Sequence, residues 1–335
     1  MEHEQQTITT HDFQFTGNGS EYFKIWIVNL CLSILTLGVY SAWAKVRNTQ
    51  YLYGNTRVND APFEYLADPV NILIGRFIAV AVFVLYSVIG QTYPAQQPIF
   101  MLLLLPFLPL VIVRSMCFRL HNTAYRNIRF NFSGRYGEAA RVFILLPLLV
   151  PLTLGFIYPY WKLCTKKFIV NNAAFGDTPF ALNINASPFY TVYFRLLGLF
   201  VVVGLAFVLL SSLMPQAGVF VLPPLGFIFY CFLLAYVNAE ITNLVFNHTS
   251  LDKHGFHSDL QVKPLFFLYL TNGLAIMLSL GLMIPWAQVR AAQYRAQCTE
   301  LNAAGSMDNF VAVTQQKVSA LGEEFGEAFD LEIGL

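Results

Sequence analysis

Three apolar runs in this chain close on nearly the same letters. The phrase LTLGVYSAWAKVR at 35–47 returns as LTLGFIYPYWKLCTKK at 152–167 and as LSLGLMIPWAQVR at 278–290. Each carries Leu-Thr/Ser-Leu-Gly at the end of an apolar helix, a Trp shortly beyond (Trp43, Trp161, Trp286), and charge after Trp43 and Trp161 or a cation at Arg290. Apolar body, ring at the headgroup level and cation in the water is the order in which a membrane segment ends. One such phrase is an ordinary helix end. Three predict a chain made of repeats, and a repeat constrains the fold more than any single motif.

The lipid setting follows from composition. Only 12% of the 335 residues are charged, 56% are hydrophobic and the mean hydropathy is +0.55. Soluble domains carry about 25% charged residues, so several apolar runs of spanning length predict an integral membrane protein. The net charge of +1 is silent about partners. The first twenty residues are polar and lack the basic start and short apolar core of a cleavable signal, so the first apolar segment is expected to act as an uncleaved anchor. Cys31, Cys117, Cys164, Cys231 and Cys298 are scattered and odd in number, which argues against a disulfide framework or zinc site and for small buried apolar residues.

Seven apolar segments can be drawn: A at 22–43, B at 70–90, C at 99–113, D at 139–161, E at 189–213, F at 219–237 and G at 264–286. Between them lie short strand and turn signals. Phe13 and Phe15 alternate in HDFQFTG, and TRVNDAPFEY at 56–65 reads as strand, turn, strand about Asn59-Asp60 and Pro62. The duplication has a steady offset. Gly17 to Gly134, Glu21 to Glu138, Lys24 to Arg141, Gly38 to Gly155 and Asp60 to Asp177 are each 117 positions apart. Gly155 to Gly281 is 126, so a partial third copy carries an insertion. The predicted organisation is a first repeat at 1–129 (A-B-C), a second at 130–245 (D-E-F), a partial third at 246–310 (G), and an acidic tail at 311–335.

These same residues carry a family resemblance. The F-x-F-x-G before a helix, the LTLGVYSAWAKVR phrase with the basic helix after it, the NTRVNDAPFEY turn and the ending FDLEIGL together resemble the YjgN-like family of bacterial inner-membrane proteins. The resemblance covers nearly the whole chain. It implies a multi-span protein of the bacterial inner (cytoplasmic) membrane, in a family without an established activity, and offers no site residues to carry over.

Positive charge marks the cytoplasmic side. The links at 91–98 and 214–218 hold no Lys or Arg and are expected in the periplasm, while the polar stretches at 44–69, 114–138, 162–188 and 239–263 all hold cations. Segment D lies between two of the cationic stretches, which leaves two arrangements. Either all seven segments cross, with the second copy inverted relative to the first, as transporters permit, or A, D and G enter the membrane without crossing, which the three prolines of D suit. On length, seven crossings is preferred. Both arrangements place the C-terminus in the cytoplasm.

Arg76 and Arg195 are the sharpest candidate pair. Each lies seven residues into its apolar segment, after Pro69 and Pro188. The plain alternative is snorkelling to the headgroups; the functional one is a paired anion- or lipid-phosphate site at the repeat interface, suited to the planar guanidinium fork. Glu21 with Lys24 and Glu138 with Arg141 have local ion-pair spacing. Trp43, Trp161 and Trp286 read as interfacial anchors. His254 and His257 have metal-ligand spacing without supporting ligands, so no metal or cofactor is expected. The basic stretch 114–141 suits anionic lipid or merely sets orientation, and the acidic tail is expected to dock on it. Nothing points to nucleic acid. No acidic residue lies deep in an apolar segment, which lowers the weight of ion-driven carriers, and no nucleophile set or phosphate loop argues for an enzyme.

The fold expected from these features is an all-α polytopic bundle of about seven apolar segments in two full repeats and a partial third, capped by short cytoplasmic β elements. The expected function is a transport or channel-like role for a small or lipidic substrate at the repeat interface. The rival is a non-catalytic membrane scaffold that binds anionic lipids or partner proteins.

Overall fold

In a computed structural model, described for residues 8–305 except 214 and for Val311 and Thr314, the chain folds as five successive units of one pattern: strand, helical pair, strand. The first is β1 (Ile8–Phe15), α1 (Gly19–Leu35), α2 (Ser41–Gly54) and β2 (Thr56–Val58). The second is β3 (Ala61–Tyr65), α3 (Pro69–Thr92), α4 (Gln97–Leu104), α5 (Phe107–His121) and β4 (Thr123–Tyr125). The third is β5 (Ile128–Phe132), α6 (Tyr136–Ala140), a π-helical turn (Arg141–Leu145), α7 (Leu146–Leu152), α8 (Tyr158–Asn171) and β6 (Ala173–Phe175). The fourth is β7 (Thr178–Leu182), α9 (Ala186–Leu213), α10 (Pro215–Asn247) and β8 (Thr249–Leu251). The fifth is β9 (His254–Ser258), α11 (Val262–Leu278), α12 (Ile284–Gln297) and β10 (Thr299–Ala304).

The ten strands close into one antiparallel barrel, each paired with its neighbours in sequence and β1 paired with both β2 and β10. Two-residue turns join consecutive units. Asn59-Asp60 and Arg126-Asn127 sit at positive φ, as do Gly176 and Asp252 at the first place of the other two turns, the geometry a tight hairpin demands. On the helical side the second helix of each unit packs on the first helix of the next: α2 on α3, α5 on α6, α8 on α9, α10 on α11, and α12 back on α1. A ring of helices therefore hangs from a ring of strands.

This overturns the all-α bundle. The β elements are not caps on a helical core; they form a closed barrel that joins all five units. The seven-span count falls with it. Three helices are long and apolar enough to cross a membrane, Pro69–Thr92, Ala186–Leu213 and Phe220–Asn247, with a fourth if α4 and α5, bent by 43°, act as one. Segments A, D and G do not cross as single helices. Each is a helical hairpin whose two ends both enter the barrel.

The shared phrase makes the reversal. Gly38, Gly155 and Gly281 each stand 23 positions after the strand-ending Phe15, Phe132 and Ser258, and 18 before the strand-opening Thr56, Ala173 and Thr299. The first, third and fifth units are thus equal in length, and the extra nine residues of the last offset lie in the long helices of the fourth. At each tip the Leu before the glycine adopts φ near +50 (Leu37 49, Leu154 50, Leu280 51) and the glycine follows at 91, 86 and 93. The glycine N–H donates back to Ser33, Val150 and Ile276 at 2.7, 2.8 and 2.8 Å, a Schellman closure. The hydroxyl in the motif serves both helices. Thr36 Oγ1 donates to the Leu32 carbonyl at 2.8 Å and accepts from the Tyr40 N–H at 2.9 Å. Thr153 does the same, and Ser279 donates to the Ile276 carbonyl and accepts from the Met283 N–H. Lipid offers backbone groups no partner, which is why a turn flanked by leucines as exposed as Leu37 (96%) needs that hydroxyl.

Barrel and helices are locked by buried clusters at their junction, such as Leu163, Leu182, Phe189 and Ile241, or Phe132, Val142 and Phe168. The ring closes where Trp286 lies against Gly19 and Phe23, its ring 4.8 Å from that of Phe23 and so close to Gly19 that a methyl group there would collide with it.

Candidate functional site

The second helix of the third unit carries a second cation, one turn after the first, where its counterparts carry none. Lys162 and Lys166 are one turn apart on α8, and the places matching Lys166 in α2 and α12 hold Thr49 and Ala292. Lys162 Nζ lies 4.7 Å from the Trp161 ring and 5.3 Å from that of Tyr158, an arrangement that holds an ammonium against an aromatic wall. Burial, and then the neighbouring charge of Lys162, lowers the Lys166 pKa from its ordinary value, and no carboxylate among the described residues offsets them.

Both lysines line a cleft of about 630 Å³ between the third and fourth units. Its walls are apolar: Val150, Leu154 and Phe156 at the hairpin tip, Leu197 and Phe200 on α9, Leu233 and Val237 on α10. Asn238 and Thr242 add polar groups on α10. The volume lies in the range of small-molecule sites. Tyr193 stacks edge-on against Tyr158 at 5.1 Å and joins the two walls. From Tyr158 to Lys166 the helix rises about 12 Å, so the cleft has an apolar length with two cations toward the barrel.

The arginines lie elsewhere. Arg76, on α3, donates to the Ser41 hydroxyl just past the tip of the first unit. Arg195, on α9, faces α10, where Tyr236 and Glu240 are its neighbours. They hold like places in the second and fourth units, with the whole third unit between. Trp161 donates from Nε1 to the Val142 carbonyl at 2.8 Å, and Trp43 stacks on Tyr40 at 6.1 Å. Glu21 accepts from the Tyr51 hydroxyl and Glu138 from Asn172. His254 is buried in the barrel and accepts the Ala304 N–H at 3.2 Å, while His257 is exposed. No group of three His, Cys, Asp or Glu side chains that could hold a metal occurs among the described residues. Most of the acidic tail lies outside them. Lysines four apart just after a Trp were the available signal for the cleft; in the sequence they pass for ordinary charges at a segment end.

A family model described as "Bacterial protein of unknown function (DUF898)" matches residues 10–328. The chain is 24% identical to "Inner membrane protein YjgN" of Salmonella typhimurium over 92% of each chain. It is 28% identical to the protein of that name in Escherichia coli K12, over 51% of this chain and 42% of the relative, and 31% identical to that of Escherichia coli O157:H7 over the same shares. No solved structure matches.

Proposed function

The chain belongs to the DUF898 family of bacterial proteins, and from that premise we propose that it takes up an anionic amphiphile, a lipid or fatty acid, in the cleft between its third and fourth units. Its relatives are named inner membrane proteins, and the exposed apolar helices fit the same placement for this chain. The barrel faces the cytoplasm, because the cations at Arg57, Arg129, Lys162, Lys166 and Lys253 sit on its side of the molecule.

The observation that carries this reading is the pairing of Lys162 and Lys166 with apolar walls in one cleft. Chain-like ligands bury against Leu154, Leu197 and Phe200, and a headgroup carrying negative charge meets two ammonium groups that have no acidic partner among the described residues. The third unit stops at its Leu154 tip while α9 and α10 run on, so the cleft stands open to lipid from the side. Movement of the ligand along it, between bilayer and barrel face, is a transport role and carries no bond-breaking step.

The purified protein is expected to retain phosphatidylglycerol over phosphatidylcholine in native mass spectrometry. At about 1 kcal/mol per lysine near a charged headgroup, the double variant Lys162→Gln, Lys166→Gln should lose at least about tenfold in that preference. Equal retention of both lipids, or a preference that survives the double variant, overturns the proposal.

A further inference from the structure

Ten strands enclose more room than eight, whose side chains just fill the interior. Here each unit gives one phenylalanine to that space: Phe13, Phe63, Phe130, Phe180 and Phe256. Strands two apart in a sheet are roughly 9.6 Å apart, yet successive ring centroids lie 6.3, 6.5, 6.3 and 6.1 Å from one another. The side chains therefore converge on the barrel axis. Successive ring planes differ by 8°, 26°, 11° and 38°. Rings set like staves with their faces to the axis would turn about 72° at each step of a five-membered barrel. These do not, so the five rings are not staves facing the axis but a row of nearly parallel neighbours crowding the lumen.

Two described residues beyond the last strand meet this lumen. β10 runs away from the helices and stops at the far rim, where Gly305 turns at φ +87. Six positions later Val311 is only 5% exposed, and it belongs to the same buried cluster as Val58, Tyr125, Leu251 and Leu301, drawn from strands around the barrel. Thr314 is 2% exposed. A residue beyond the rim joins that cluster only by entering the lumen. We infer that Val311 and Thr314 plug the barrel, with Val311 seated among the aromatic rings. A lumen lined this way takes a compact apolar side chain and rejects a charged one, which would be buried without a partner. Hydrophobic constrictions already resist wetting; a plug within one seals the barrel.

The test is thiol labelling of solubilised full-length protein with a charged maleimide, corrected for the native cysteines. Val311→Cys should react at least tenfold more slowly than Asp252→Cys on an exposed hairpin turn. Ala303→Cys, fully buried in the lumen, should react at least tenfold faster when Val311→Asp is added or when the chain is ended at 305. Hydrogen exchange across the β9–β10 pair reports whether the barrel is intact in each variant. Val311→Cys labelling as fast as Asp252→Cys overturns the plug. So does an Ala303→Cys rate unmoved by Val311→Asp while the β9–β10 amides stay protected.

Discussion

His254 shows how a single side chain ties the last strand to the barrel. Its Nδ1 accepts the Ala304 N–H, a role open only to the neutral ring. Burial lowers its pKa from the usual 6.5, with Asp252 pulling the other way by a smaller amount. A histidine whose folded pKa is depressed binds its proton more readily when unfolded. Its contribution to stability is therefore complete above about pH 6.5 and is lost as the pH falls through the folded value. Melting temperatures at pH 7.5 and pH 5.0 should differ more for the natural protein than for His254→Gln, which keeps an acceptor without titrating. An equal acid-induced drop in both would show that the proton goes elsewhere. Polar groups deeper in the ring are less evenly served. Asn272 Oδ1 accepts from Arg290 at 2.7 Å, whereas the Oδ1 of the matching Asn29, also buried, has no partner among the described residues.

The helical hairpin is the element on which the repeat is built, and its cost is open to measurement. Gly38 has φ +91 and no atom within 4 Å of where a Cβ would stand, so Gly38→Ala is penalised by backbone conformation alone. That should be about 1–2 kcal/mol, read as earlier unfolding on titration with SDS. Gly54→Ala, equally open and without a positive φ, is the matched control and should be neutral or slightly stabilising. Thr36→Val removes both hydroxyl bonds at the tip and should cost roughly 1–3 kcal/mol. Equal effects of the two glycine changes would refute the assigned turn. The recurrence of this element was legible in the sequence, but its shape was not. Trp and charge soon after Leu-Gly look like a segment leaving the membrane, and nothing in the letters announces that Leu37 has left-handed backbone. The barrel was hidden for a different reason. Strands such as Thr123–Tyr125 are too short for alternation to register, and their pairing with β3, nearly sixty positions away, is not a local property. In the stretch from Arg114 to Arg141 the charges drew attention to orientation, while Ile128, Phe130 and Phe132 alternated among them as a strand. Lys162 and Lys166 went unremarked because a cleft exists only once α8 and α9 are placed side by side.

For the whole molecule, closure of the barrel dictates topology. Both ends of each unit lie in one ring of strands, so every unit crosses the bilayer either twice or not at all. An odd count within a unit, and with it an inverted second copy, does not fit a closed barrel held on one face of the membrane. The 24 residues of α3 rise about 36 Å and clear a hydrocarbon core of about 30 Å, whereas the 17 of α1 rise about 25 Å and then turn back. The second and fourth units should cross, and the first, third and fifth should dip in and return. The prediction is a pattern of sidedness. Single cysteines at Asp60, Asn127, Asp177 and Asp252, one in each hairpin turn, should react with an impermeant thiol reagent only in inverted inner-membrane vesicles. A cysteine at Ala95, between α3 and α4, should react only in right-side-out spheroplasts. Seven crossings would put the first two turns on one side and Asp177 on the other. A split among the four hairpin turns is therefore the result that the closed barrel cannot survive. Agreement among them, with Ala95 opposite, leaves the third unit standing part-way into the membrane between two crossing pairs, where a laterally open cleft requires it to be.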